Sequence, residues 1–133
     1  MTFNIRLDAS VDNENRWDCR KAEVAKMLTY YQPDLLGLQE VCPNQMADLK
    51  SALQGMYEGI GVGRDDGKHQ GEHSPIFYNT HRFSLVKHGD FALSAGQTHQ
   101  NYSDKNCNIS NCKALIINAL DLLMLDKFRI FIV

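Results

Sequence analysis

The sequence predicts an α/β fold, and three observations carry that prediction. A short segment of alternating hydrophobicity opens the chain, a stretch of helical period follows, and a nearly uninterrupted apolar run comes directly after it. Strand, helix and strand between Met1 and Glu40 imply a right-handed parallel crossover, the building unit of α/β proteins.

The opening strand is read from Met1, Phe3 and Ile5, which alternate with Thr2, Asn4 and Arg6 as one buried face requires. A polar loop runs from Asp8 to Asn15. From Trp17 to Tyr31 the apolar residues Trp17, Val24, Met27, Leu28 and Tyr31 recur near helical spacing, and Arg20, Lys21, Glu23 and Lys26 take the other faces. Pro33 and Asp34 stop this helix. Leu35, Leu36, Gly37 and Leu38 then read as a strand buried on both faces.

Pro43 suits a first helical turn, where its missing N–H costs nothing, and Met46, Leu49 and Leu53 mark the apolar stripe of a helix reaching about Gln54. Ile60 and Val62 suggest a short strand, Gly63 to Gly67 a polar loop, Ser74 to Tyr78 a strand, and Phe83 to Leu93 one or two more. Asn101 to Cys112 is polar and irregular. Ala114 to Leu125 and Phe128 to Val133 look like two strands joined by a tight turn at Asp126 and Lys127, although Leu120 to Leu125 is equally compatible with a helix. No repeat, low-complexity tract or linker divides the chain, so residues 1–133 are read as one domain.

Composition narrows the function. With 14 basic against 16 acidic residues there is no bulk positive charge for indiscriminate binding to a phosphate backbone, so any nucleic-acid role rests on a local site. Cys19, Cys42, Cys107 and Cys112 form neither a metal-type pair of CxxC motifs nor an evident disulfide framework. Residues 114–133 are apolar, but Asp121, Asp126, Lys127 and Arg129 interrupt them, and each charge near a bilayer centre costs roughly 2.5–3.5 kcal/mol. A hairpin is expected there, and no membrane span. Thr2 to Arg6 read as a strand rather than a secretory leader, which makes the cytoplasm the default location.

The chemistry is expected at one edge of the sheet. If the first two strands are parallel, their carboxyl ends share an edge, with Asn4 near the end of one and Glu40 just past the end of the other. A carboxylate and an amide carbonyl are hard oxygen donors suited to Mg²⁺ or Mn²⁺. The competing reading is structural: Asn4 pairs with backbone and Glu40 caps the helix that begins at Pro43. Of His69, His73, His81, His88 and His99, all are assigned to surface or structural roles, and the glycines around His69 and His73 argue against a helical metal pair.

A longer pattern bears on that choice. Thr2 to Arg6, then Arg20 and Lys21, then Pro33 to Val41, then Gln45, Asp48 and Leu49, resemble the amino-terminal signature of the endonuclease/exonuclease/phosphatase family. The resemblance continues through Gly61 to Gly67, Gly71 and Glu72, Pro75 to Tyr78, Arg82 and Phe83, and Gly89 to Phe91, and so covers roughly residues 1 to 94. It implies a two-sheet α/β sandwich and a divalent-metal-dependent phosphoester hydrolase, that is, a nuclease, phosphodiesterase or phosphatase acting on nucleic acid, a sugar phosphate or a lipid phosphate. Carried over by position, Glu40 is the metal ligand and Asn4 sits beside the metal or the scissile phosphate; both are the catalytic candidates. Arg64, Glu72 and Tyr78 are the substrate-binding candidates, Arg64 as a bidentate phosphate donor.

The family's later motifs, an asparagine-threonine-histidine strand end, a glycine-aspartate-x-asparagine segment and a serine-aspartate-histidine motif, are absent from these 133 residues. The expectation is therefore a truncated domain, the amino-terminal half of the sandwich, short of residues upstream as well and with impaired hydrolysis. A half sandwich exposes apolar faces and strand edges, which favours self-association or pairing with a complementary half-domain. The alternative function is a non-catalytic fragment or interaction module that retains half of the fold.

Overall fold

In the computed structural model, residues 1–93, 115–124 and 129–132 are described. The chain alternates strand and helix at first and then becomes all strand: β1 (Thr2–Asn4), a 3₁₀ segment (Ser10–Asn15), α1 (Trp17–Tyr31), β2 (Leu35–Gln39), α2 (Pro43–Ala52), β3 (Tyr57–Ile60), β4 (Ile76–Asn79), β5 (Phe83–Leu93), β6 (Leu115–Met124) and β7 (Arg129–Ile132). One sheet has the order β1-β2-β4-β3 and a second the order β5-β6-β7. The fold is α/β, as expected.

β1 and β2 are parallel, with Asn4 opposite Gln39, so the predicted crossover exists and both strands end at the same edge. Trp17, Val24 and Leu28 bury one stripe of α1. With Met46, Leu49 and Leu53 from the second helical segment they cover Ile5, Leu36, Leu38 and Phe77 of the sheet. Tyr31, expected in that stripe, is exposed instead: Met27 already packs against the core at this turn, and the Tyr31 ring meets that of the exposed Tyr30 edge to face at 5.1 Å. Gln32 then leaves the helix in the left-handed region, its N–H still bonded to the Leu28 carbonyl. The other face of the sheet is apolar too, with Leu35, Ile60 and Ile76 packed around buried Tyr78 and Phe83, which accounts for the uninterrupted apolar run of β2.

Three boundaries differ from the sequence reading. The polar stretch after β1 curls into 3₁₀ turns rather than remaining an open loop. β3 begins at Tyr57, and Gly61, at φ 147, bends the chain before Val62. β4 starts at Ile76, although backbone pairing with the neighbouring strand continues upstream, through the Leu38 N–H to the Pro75 carbonyl and through a bridge between Val41 and His73. Phe83 to Leu93 is one strand, irregular between Leu85 and Lys87, and its antiparallel pairing with β6 makes Leu120 to Met124 strand and not helix. β6 pairs with β7 from Leu120 opposite Ile132 to Leu123 opposite Arg129. The expected turn at Asp126 and Lys127, the polar stretch Asn101 to Cys112 and His99 lie outside the described residues. No helix among the described residues is long and apolar enough to cross a membrane.

Candidate active site

Glu40 follows the last residue of β2 and takes a left-handed backbone conformation, φ 61, that turns it out of the sheet plane at the shared edge. Its two carboxylate oxygens have different partners. Oε1 accepts from Asn4 Nδ2 at 2.8 Å, and Oε2 accepts from the Leu7 backbone N–H at 3.3 Å. Asn4 Oδ1 in turn accepts the Arg6 N–H at 2.8 Å. These hydrogen bonds favour the ionised carboxyl, and with the nearby Arg6 charge they hold Glu40 below the usual carboxylate range, Asn4 being the largest cause and Leu7 the next.

The structural alternative for this pair therefore survives only in part. Asn4 does bond backbone, but Glu40 does not cap α2. Cys42 is the N-cap: its sulfur faces the Gln45 N–H, and the Gln45 side-chain oxygen accepts the Cys42 N–H at 2.9 Å, a capping box with a thiol in the usual hydroxyl position. Reversing the Asn4 amide would set oxygen against carboxylate and NH₂ against N–H, so the network fixes its orientation, with Nδ2 on Glu40 and Oδ1 on the Arg6 N–H.

The chain around this pair is tied down by residues of the amino-terminal signature. Arg20 Nη1 donates to the Ile5 carbonyl at 2.7 Å, and Arg6 grips Asp12 with Nε and Nη2. Asp8 accepts from Asn44 Nδ2 at 2.9 Å, linking the loop after β1 to the start of α2. Asp48 accepts from the buried Trp17 Nε1 at 2.8 Å, locking α1 to α2. Arg20 and Asp48, whose positions mark the signature, thus build the scaffold around the site.

Arg64 and Glu72 come together on a hairpin beside that edge. The Arg64 N–H donates to the Glu72 carbonyl at 3.0 Å, and Arg64 Nη1 lies 3.0 Å from Glu72 Oε2. His73 fixes the hairpin to the sheet by two backbone hydrogen bonds with Val41, 2.7 and 3.1 Å, directly after Glu40. Its buried ring places Nδ1 3.2 Å from the Val41 carbonyl, a structural role as expected for the histidines. Asp66 closes the turn by accepting the N–H groups of Lys68, His69 and Gln70.

Tyr78 does not join them. β4 runs antiparallel to β2, so Tyr78 lies opposite Leu35, at the start of β2 and about 13 Å from its far end at a strand's rise per residue. Its buried hydroxyl donates to Glu58, and burial with that carboxylate pushes the phenol well above its ordinary value. In this structure Tyr78 packs in the second buried cluster, with Phe83. What the sequence reading did not assign is the Leu7 amide and the contact made by Gln45, a signature residue whose side chain is completely buried.

Residues 1–104 match the family described as Endonuclease/Exonuclease/phosphatase family. The chain belongs to that family. Among solved endonuclease/exonuclease/phosphatase structures, it is similar to the one from Bacteroides vulgatus, at 34% identity and TM-score 0.77, over 92% of this chain and 45% of that one. It is also similar to a mannosyl-6-phosphatase from Bacteroides thetaiotaomicron, at 32% identity and TM-score 0.76, over 98% of this chain and 48% of that one. An uncharacterized protein of Acanthamoeba polyphaga mimivirus is 39% identical over 87 residues, 58% of this chain and 13% of that protein. The chain thus spans about half the length of these solved family members.

Proposed function

We propose that this chain carries the cation-binding edge of a phosphoester hydrolase, with Glu40 as ligand to Mg²⁺ or Mn²⁺ and a phosphodiester or phosphomonoester as substrate. The observation that supports this most is the ionised, half-buried Glu40 carboxylate, held by Asn4 and the Leu7 amide at the carboxyl end of β2 in a chain of this family. The donor set suits such an ion, because Mg²⁺ is commonly held by one or two carboxylates and completes its octahedron with water and phosphate oxygens. When bound, the cation would polarise a phosphoryl oxygen and stabilise the charge developing on it.

The chain's own residues do the positioning. Asn4 and Leu7 keep Glu40 ionised and in one orientation, and each carboxylate oxygen retains a free lone pair for a cation. Arg64 is the phosphate contact, and to make it the guanidinium exchanges Glu72 for a phosphate oxygen. The mannosyl-6-phosphatase among the similar structures makes a sugar phosphate the first substrate to try, ahead of nucleic acid and lipid phosphate.

The test is hydrolysis of bis(p-nitrophenyl) phosphate, p-nitrophenyl phosphate and mannose 6-phosphate, with and without Mg²⁺ or Mn²⁺, by the chain and by Glu40→Ala. Metal-dependent turnover that vanishes in the variant is expected. Turnover indifferent to the variant sinks the proposal.

One observation favours a second reading, a non-catalytic half. Among the described residues, no group of three or more His, Cys, Asp or Glu side chains is arranged to hold a metal. On this reading the purified chain binds Mn²⁺ at Glu40 without turnover, and self-association or a complementary half-domain restores it. Light scattering alongside the assay separates the two.

A further inference from the structure

We infer that Gln45 is a positioning residue for Glu40, acting through the single peptide group that joins Arg6 to Leu7; the inference rests on the proposed role of Glu40 as a metal ligand. Gln45 is wholly buried and uses both ends of its amide. Its Oε1 accepts the Cys42 N–H, and its Nε2 donates to the Arg6 carbonyl at 2.9 Å.

That carbonyl and the Leu7 N–H belong to the same planar trans peptide, so they point in opposite directions. Fixing the carbonyl on Gln45 turns the N–H toward Glu40 Oε2, where it lies at 3.3 Å. The arrangement needs help, because Arg6 sits at φ 59, a left-handed conformation that a non-glycine side chain adopts only when its surroundings hold it there. Arg20 Nη2 reaches the same carbonyl at only 3.4 Å, which leaves Gln45 as its close partner.

Capping α2 does not account for this residue. The capping box uses only the side-chain oxygen, and glutamate serves there as well as glutamine. The amide nitrogen is the part that reaches Arg6, and glutamate lacks it.

Gln45→Glu in the full chain therefore keeps the cap and removes the clamp. Three measurements read it: amide hydrogen exchange at Leu7 and at Cys42, and Mn²⁺ affinity by electron paramagnetic resonance. Exchange at Leu7 at least about tenfold faster, with Cys42 protected as before and Mn²⁺ bound about tenfold more weakly, is the expected result, the size being that of partners which orient metal ligands. Leu7 exchange unchanged, Leu7 and Cys42 lost together, or Mn²⁺ affinity unchanged despite a freed Leu7 would each overturn the inference. Should the glutamate variant not fold, Gln45→Met removes both bonds without burying a charge, and Leu7 protection intact in it overturns the inference equally. A wild-type chain that binds no Mn²⁺ refutes the ligand role of Glu40, while the Leu7 comparison still decides whether Gln45 sets that peptide.

Discussion

Asn4 and Glu40 meet side chain to side chain, Nδ2 to Oε1 at 2.8 Å, although 36 positions separate them in sequence. The parallel register of β1 and β2 brings them together, and the contact is the largest cause of the lowered Glu40 pKa. A carboxyl whose folded pKa lies below its unfolded value contributes stability that is present above the unfolded value and lost as pH falls through the folded one. Asn4→Ala should therefore cost about 1 kcal/mol more near neutral pH, a charged hydrogen bond discounted for solvent exposure, than once Glu40 is protonated in both states, where the bond from the Arg6 N–H to Asn4 Oδ1 is what remains to lose. Urea denaturation at neutral pH and at successively lower pH, until the difference between the two chains stops changing, checks this. A cost as large in acid as at neutrality contradicts it.

The Arg64–Glu72 ion pair is half-exposed on both sides, with side-chain exposures of 40% and 27%. A double-mutant cycle with alanine at each position should give a coupling of about 0.2–1 kcal/mol that shrinks in 1 M salt. The small value bears on the proposed phosphate role, because a pair this weak would let Arg64 leave Glu72 for a phosphate oxygen. Coupling above about 2 kcal/mol would instead make Glu72 a fixed partner.

Gly63 is closed in by backbone. A Cβ there would fall on the peptide of Gln70, across the hairpin that carries Arg64 and Glu72, and no rotamer change relieves a clash with main chain. Gly63→Ala should destabilise by about 1–3 kcal/mol and raise amide exchange at Asp65 and Gly67, whose N–H groups bond within this turn. Unaltered protection at both amides argues against the prediction.

Tyr78→Phe separates core from site. Losing the hydroxyl bond to Glu58 should lower stability by about 0.5–1.5 kcal/mol and leave Mn²⁺ affinity at Glu40 unchanged, since Tyr78 stands at the other end of the sheet. Calorimetry and metal titration on the same sample read both, and weakened Mn²⁺ binding would return Tyr78 to the site.

The features legible in the sequence were those set by local pattern. Hydrophobic period gave α1, β2 and α2, and a parallel crossover then fixed which ends of β1 and β2 meet, so Asn4 and Glu40 followed from topology. The distance of Tyr78 from that edge was not legible for the complementary reason: alternation identifies a strand but not its direction, and antiparallel β4 carries its last residues away from the edge. Arg64 and Glu72 were recognisable singly, yet their pairing depends on a hairpin anchored by His73 to Val41, a contact between distant segments. Gln45 escaped because nothing in the local pattern announces that a polar side chain is buried, and a cysteine at the N-cap hides the serine or threonine signal of a capping box.

The hydrogen bonds recorded around Glu40 join residues between Asn4 and Gln45. The carboxylate's own hydrogen bonds thus come from one contiguous stretch of chain, which the His73–Val41 pair ties to the downstream hairpin. Such local closure makes that stretch a transferable cassette: the segments that face it can be exchanged while the carboxylate corner is inherited intact.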